Sequence, residues 1–165
     1  MALVGSVAAQ NVEWREYGSD AGHSKYSALD QIDAANVNRL DIAWRWDTGD
    51  AALGETTGAR PSGNKSTAIY VNGTLYVSTP LSRVAALDPA TGMSRWVFDP
   101  EAYAFGRPSP AGWQHRGVPY WDDGEDGRIY IGTGRLHLFA LNAKTGEPIE
   151  SFGEGGSVDL VKGLY

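Results

Sequence analysis

An internal repeat constrains this chain more than any other feature of its sequence. Residues 73–92 and residues 127–146 align without a gap at an offset of 54, and seven of the 20 positions are identical. Other positions keep their chemistry, as Asp88 and Asn142 do. A second echo relates residues 44–47 to residues 96–99. Repeats of about 50 residues are typical of proteins built from successive copies of one supersecondary unit. We therefore predict an array of similar modules.

Each module is predicted to be a small antiparallel sheet. Asn72-Gly73 is a two-residue hairpin signal, because both turn positions need positive φ, and residues 88–92 read as a tight turn. Period-two alternation of apolar and polar residues predicts an additional strand over 40–47. The strands predicted for the two copies are 67–71, 74–79, 83–87 and 94–98, followed by 118–121, 128–133 and 137–141, with a turn at 142–146.

Four strands per ~50 residues is the arithmetic of a propeller blade. The fold class is therefore all-β, and residues 11–165 are assigned to a partial β-propeller domain holding the first two to three blades. Closing a propeller ring takes about four to eight blades. We expect the natural protein to continue past Tyr165, and we expect the isolated chain to self-associate through its open strand edges.

Composition excludes several classes of function. The net charge of −6 disfavours a nucleic-acid partner. Cysteine is absent, which removes disulfides, thiolate nucleophiles and cysteine metal sites. The sequence contains no apolar run of the ~20 residues that a membrane-spanning helix needs. Residues 1–10 end in small residues, as a signal peptide does, and are interpreted as a signal remnant or as a disordered N-terminus.

The blade turn carries a family resemblance. Residues 86–96 read Ala-Leu-Asp-Pro-Ala-Thr-Gly-Met-Ser-Arg-Trp, which resembles the A-x-D-x-x-T-G-x-x-x-W motif of the pyrroloquinoline quinone (PQQ) dehydrogenases. The second copy departs from the motif, with Asn142 for Asp and Glu150 in the Trp place. The N-terminal block 14–49 and the string 115–121 also resemble these dehydrogenases, and the pattern is nearest to the glucose- and polyol-oxidising branch. The alcohol-oxidising branch carries an adjacent cysteine pair where Pro110 and Ala111 stand.

The resemblance implies an eight-bladed parent protein in the periplasm that binds PQQ with a divalent ion, usually calcium. It implies oxidation of a sugar, polyol or alcohol hydroxyl, with electrons passed to a quinone or a cytochrome. Family members place the catalytic aspartate and the calcium ligands in later blades, so no catalytic or metal residue is assigned to this chain and the chain alone is expected to be inactive. The alternative is a non-catalytic PQQ-repeat scaffold for protein–protein contacts in the bacterial envelope, although the lipobox cysteine of such lipoproteins is missing.

Three residues are candidate cofactor ligands by the same resemblance. Arg116 matches the arginine that holds a PQQ carboxylate, and its planar fork suits that role; the alternative is an ion pair between blades. Lys65 stands where relatives have a glutamate, and it could meet an anionic cofactor or be an exposed loop lysine. Trp121 could face the PQQ ring or pack in the core between blades.

Two further patterns are assigned no site. Residues 122–127 are acidic but lack the alternating ligands of a calcium loop, and they lie between two predicted strands, so a solvated hairpin turn is the favoured interpretation. His23, His115 and His137 have no metal-ligand spacing.

Overall fold

A computed structural model describes residues 12–61, 63–108 and 112–164. Two four-stranded antiparallel sheets, each in simple meander order, account for most of its regular structure, as predicted from the repeat. The predicted signal remnant at 1–10 lies outside the described residues. The first sheet contains β1 (Ile69–Val71), β2 (Thr74–Ser78), β3 (Val84–Leu87) and β4 (Ser94–Phe98). The second contains β5 (Tyr120–Asp122), β6 (Gly127–Gly132), β7 (His137–Asn142) and β8 (Ser157–Asp159).

The turns follow the predicted chemistry. Asn72 and Gly73 both have positive φ, 49° and 71°, and they connect β1 to β2. In the turn after β3, the Asp88 carboxylate accepts hydrogen bonds from the amides of Ala90 and Thr91, both at 3.0 Å. Asn142 accepts the equivalent two bonds in the second sheet. An amide oxygen therefore replaces the carboxylate in this turn and keeps both backbone hydrogen bonds, whereas the threonine hydroxyl donates to Asp88 in the first sheet and to Glu147 in the second.

The main hydrophobic core lies between the two sheets, because each sheet presents one face of its alternating strands to the other. Ile69, Val71 and Val84 from the first sheet are almost fully buried. Ile129, Ile131 and Leu141 are their counterparts in the second sheet, and all belong to the same cluster. Fully burying an aliphatic side chain of this size stabilises a fold by roughly 1.5–3 kcal/mol, so this interface is the main source of cohesion between the modules.

Trp96 on β4 joins the first sheet to the turn of the second. Its indole Nε1 donates a 3.0 Å hydrogen bond to the carbonyl oxygen of Ala143, which also accepts a 3.1 Å bond from the Tyr76 hydroxyl. The ring lies so close to Gly146 that a Cβ there would come within 2.6 Å of it. The motif tryptophan therefore packs between the two modules, and its hydrogen bond goes to the turn of the neighbouring sheet.

The strand predicted over 40–47 is wrong. These residues form no strand, because their backbone has no neighbouring described segment with which to form a ladder. Trp44 nevertheless repeats the Trp96 contact one module earlier: its Nε1 donates a 3.0 Å bond to the Pro89 carbonyl, and its ring covers Gly92. Trp44 and Trp96 therefore make equivalent contacts in successive modules, although only Trp96 lies on a strand.

Several elements were not predicted. The α-helix α1 (Asp50–Thr57) precedes the first sheet, and 3-10 helices occupy Val37–Arg39 and Ala102–Phe105. The fourth strand of the second sheet, β8, begins 11 residues after Gly146, whereas β4 begins two residues after Gly92. Pro148 makes only an isolated bridge to Leu141. The longer connection of the second sheet explains why a gapless repeat did not reveal this strand.

A buried ionic cluster fastens the start of α1 to the first sheet. The Arg83 guanidinium lies 3.1 Å from Asp99 and 3.7 Å from Asp50, and it donates a 2.7 Å bond to the carbonyl oxygen of Thr48. Asp50 in turn accepts a 3.0 Å bond from the amide of Leu81. Only 4% of the Asp50 side chain is exposed, so its charge depends on Arg83 for compensation.

Candidate cofactor-binding site

The segments that carry Lys65 and Arg116 meet at one end of the two sheets. Tyr70 pairs with Leu75, and Tyr120 pairs with Ile129, the residue equivalent to Leu75 in the repeat. The stretches before β1 and β5 are therefore equivalent in the two modules. They are also bonded to each other, since the amide of Thr67 donates a 3.0 Å hydrogen bond to the carbonyl oxygen of Arg116.

Both cationic side chains at this end are exposed. Neither Lys65 nor Arg116 forms an ion pair with another residue among 12–61, 63–108 and 112–164. The blade-to-blade ion pair considered for Arg116 is therefore absent from this part of the chain. In a chain of net charge −6, two such cations on segments that are hydrogen-bonded to each other are candidates for binding an anion.

A cavity of about 590 Å³ opens beside Arg116. Ile69 and Val118 contribute buried apolar wall, while Arg116 and Gly117 contribute a cation and a backbone amide. Gly117 has a φ of 138°, and a Cβ at this position would lie 2.9 Å from the Thr67 carbonyl oxygen. Glycine is therefore required for the two segments to approach this closely. The N-terminal segment completes the cavity with Arg15, Glu16, Tyr17 and His23.

His115 links the two sheets immediately before Arg116. Its Nδ1 lies 2.8 Å from the Ser78 hydroxyl at the end of β2, and its Nε2 lies 3.0 Å from the Gly132 carbonyl at the end of β6. Ser78 is fully buried and also contacts the Ser66 hydroxyl at 3.0 Å. Burial lowers the pKa of His115 below its ordinary value. In the sequence, His115 was weighed as a metal ligand and assigned no site. The one feature that could have pointed to its position between the sheets is its place next to Arg116.

Trp121 lies apart from this cavity. It is 46% exposed, so the alternative of a core tryptophan between blades does not describe it. The Arg128 guanidinium sits over its ring, 5.0 Å from the centroid, and the two residues are direct cross-strand partners. The structure thus joins the segments that carry Lys65 and Arg116 and leaves Trp121 elsewhere. The cofactor role of all three residues stays a prediction.

The acidic residues 122–127 form the expected hairpin turn between β5 and β6. Asp123 accepts hydrogen bonds from the amides of Glu125 and Asp126, and Asp122 pairs with Arg15. Within the described ranges no three His, Asp or Glu side chains are grouped as a metal ion requires. In the same part of the chain, every helix is too short or too polar to cross a bilayer.

Comparison with known proteins places this architecture in a family. The family model described as "Glucose/ethanol/alcohol dehydrogenase, beta-propeller domain", of the PQQ type, matches residues 14–165. The quinate/shikimate dehydrogenase (quinone) of Acinetobacter baylyi is 32% identical over 95% of this chain and 21% of its own length. The quinohemoprotein alcohol dehydrogenase ADH IIB of Pseudomonas putida is 38% identical over 84% of this chain and 18% of its own length.

A solved structure agrees with these relatives. The quinohemoprotein alcohol dehydrogenase of Comamonas testosteroni superposes with a TM-score of 0.72 at 31% identity, covering 96% of this chain and 21% of that protein. The chain belongs to the PQQ-dependent dehydrogenase family, and its two sheets are blades of that family's β-propeller. It spans about one fifth of the length of the curated relatives it matches.

The residues present fit the family's cofactor. PQQ is a flat aromatic quinone that carries several carboxylates. Arg116 offers a planar bidentate donor and Lys65 a point charge, and neither is neutralised by a described carboxylate. The apolar wall that Ile69 and Val118 form beside Arg116 suits the aromatic part of such a ligand.

Proposed function

We propose that this chain forms part of a PQQ-dependent oxidoreductase that oxidises a sugar, polyol or alcohol hydroxyl and passes electrons to a quinone or a cytochrome. The observation that carries the proposal is that Arg116, which has no ion-pair partner among the described residues, lines a cavity with apolar walls, while Lys65 lies on the segment that is hydrogen-bonded to the Arg116 backbone. A cation beside an apolar wall suits an anionic aromatic ligand better than it suits a contact with another protein.

Arg116 and Lys65 are assigned the binding of PQQ carboxylates. The Thr67 amide holds the backbone of Arg116 in place, while the guanidinium has no ion-pair partner among the described residues. Ordering is therefore partly complete before the ligand arrives, which reduces the entropy lost on binding. No cofactor contact is proposed for Trp121, because it lies outside the cavity beside Arg116 and the Arg128 guanidinium sits over its ring.

PQQ, when bound, supplies the two-electron oxidant for the hydroxyl-bearing carbon of the substrate. This chain contributes binding and orientation of the cofactor through Arg116 and Lys65. Calcium and the residue that removes the hydroxyl proton are assigned to parts of the protein outside this chain. The sugar- and polyol-oxidising branch is preferred because Pro110 and Ala111 stand where the alcohol-oxidising branch has its cysteine pair.

A periplasmic location goes with this function, since residues 1–10 resemble the end of a signal peptide. Fractionation of cells expressing the complete reading frame tests the location: the protein is expected in the periplasmic fraction, and recovery from the cytoplasm alone would contradict the proposal.

Reconstitution tests the activity. The protein is expressed from its complete reading frame, loaded with PQQ and calcium, and assayed for reduction of a dye acceptor with a panel of aldoses, polyols and alcohols. Turnover with at least one of them is expected, and Arg116→Ala should weaken PQQ binding about tenfold or more, the loss expected for a charge-assisted hydrogen bond.

Lys162→Ala is the matched control, because Lys162 is an exposed cation outside the cavity that pairs with exposed Glu154. It should leave PQQ affinity unchanged. A protein that neither binds PQQ nor turns over any member of the panel would instead favour the scaffold function, in which the propeller serves protein–protein contacts.

A further inference from the structure

A polar chain that is buried at Ser78 and half-buried at Ser66 and His115 underlies the loop that carries Arg116. It runs from Ser66 through Ser78 to His115, and it ends at the carbonyl oxygen of Gly132. The amide of Gly117 adds a 3.3 Å bond to His115 Nδ1. Ser78 and Gly132 are equivalent positions of the two repeats, 54 residues apart. The chain therefore connects corresponding strand ends of the two blades.

The direction of every hydrogen bond in this chain follows from its two ends. The Gly132 carbonyl only accepts, so His115 Nε2 carries the hydrogen and Nδ1 is the acceptor. Nδ1 then receives the Gly117 amide and the Ser78 hydroxyl. The Ser78 oxygen in turn receives the Ser66 hydroxyl, and the Ser66 oxygen receives the Ser78 amide at 3.2 Å. One tautomer of His115 satisfies all partners.

The chain also touches both segments of the candidate site. Ser66 follows Lys65 directly, while His115 and Gly117 flank Arg116 on either side. The bond from the Thr67 amide to the Arg116 carbonyl closes the arrangement. Movement of one cation-bearing segment relative to the other would therefore break several bonds at once, in a region where Ser78 is fully buried and water cannot readily replace them.

We propose that Ser66, Ser78 and His115 form a positioning relay that holds Lys65 and Arg116 at the separation needed to bind a polycarboxylate. The inference rests on the proposed function, because the polycarboxylate is PQQ. His115 is a positioning residue here and does not contact the cofactor. Its effect arises because a pre-organised pair of cations loses less freedom on binding than two independent exposed side chains.

Equilibrium binding of PQQ to the metal-loaded apoprotein, followed by protein fluorescence, tests the relay. His115→Phe keeps the size of the ring and removes both nitrogens, and it should weaken PQQ binding about tenfold or more. His115→Asn retains an acceptor for Ser78 and Gly117 and should recover a large part of that loss. His137→Phe is the matched control, because among the described residues the His137 side chain hydrogen-bonds to the carbonyl oxygen of Arg135, outside the relay, and this variant should bind as the wild type does.

Thermal unfolding of the same variants separates positioning from general stability. The relay is supported if His115→Asn recovers PQQ affinity although its melting temperature is the same as that of His115→Phe. Affinity that merely follows melting temperature across the variants overturns it, as does wild-type affinity in His115→Phe. If His115→Phe does not fold, Ser66→Ala replaces it, since it removes the terminal donor of the chain and the acceptor of the Ser78 amide while leaving His115 in place, and a threefold or greater loss is expected.

A second measurement keeps the relay distinct from the proposed function. Amide hydrogen exchange is measured without PQQ at Thr67 and Gly117 in the wild type and in His115→Phe. Faster exchange at both amides in the variant is expected even if the wild type fails to bind PQQ, a result that would contradict the proposed function only. Unchanged exchange at both amides would overturn the relay itself.

Discussion

Gly146→Ala is a direct test of the tryptophan contact between the blades. Gly146 has a φ of 77°, and the added Cβ would lie 2.6 Å from two atoms of the Trp96 ring. The left-handed backbone costs alanine about 1–2 kcal/mol. Overpacking against a ring that is held by its hydrogen bond to Ala143 adds about 1–3 kcal/mol. The free energy of unfolding should therefore fall by about 2–5 kcal/mol.

Gly73→Ala is the matched control, because Gly73 has nearly the same φ, 71°, and a Cβ there would meet no atom within 4 Å. It should cost only the backbone contribution, about 1–2 kcal/mol. Urea unfolding of the protein gives both values. In a Trp96→Leu background, Gly146→Ala should cost no more than Gly73→Ala, because the steric partner is gone. Costs for the two glycines that agree within about 0.5 kcal/mol in the wild-type background would refute the reasoning.

Three further perturbations have defined outcomes. Arg83→Met should lower the free energy of unfolding by about 3–5 kcal/mol in urea titrations, since it leaves the buried Asp50 carboxylate uncompensated. Removing Asp50 as well should restore part of the loss. An unchanged free energy of unfolding in Arg83→Met would contradict the stabilising role of the ion pair between Arg83 and Asp50. The hydrogen bond from the Arg95 guanidinium is the main cause that lowers the pKa of Asp88, so the stability that this pair contributes is present above the ordinary aspartate pKa and is lost as pH falls through the lowered pKa. Asp88→Asn should flatten that part of the acid-unfolding curve. An unchanged curve would count against a stabilising role for the pair. Burial lowers the pKa of His115, so the unfolded chain binds the proton more tightly than the folded chain does, and stability should fall as pH drops below about 6.5. The melting temperature should decline less between pH 7 and pH 5 in His115→Asn than in the wild type. Equal declines would argue against a neutral histidine at this position.

Local chemistry made most of the strands predictable. Asn72-Gly73 and the Asp88 turn are short-range signals whose hydrogen bonds lie within a few residues, so they form in the same way wherever the segment is placed. β8 escaped prediction because its distance from the preceding turn depends on a connection that departs from the repeat. The 40–47 segment was mistaken for a strand because alternation reports which side chains are buried and does not report whether a partner strand is present.

The candidate site was predictable only in part. Arg116 and Lys65 were identified by resemblance, and both reached the same end of the sheets because the segments before β1 and β5 are equivalent in register. The His115 relay was beyond sequence reasoning. Ser78 is 37 residues from His115, and nothing in the local pattern indicates that these two side chains meet.

The sequence by itself determined the repeat, the turns and seven of the eight strands, because these depend on residue type and spacing within about 50 residues. It also determined the family, through a motif whose Asp88, Gly92 and Trp96 each have a local or nearest-neighbour role. The tertiary structure decided which residues of different blades touch: Trp96 with Gly146, and His115 with Ser78. Such contacts depend on how two sheets pack against each other, and that arrangement is set by the shape of the whole interface.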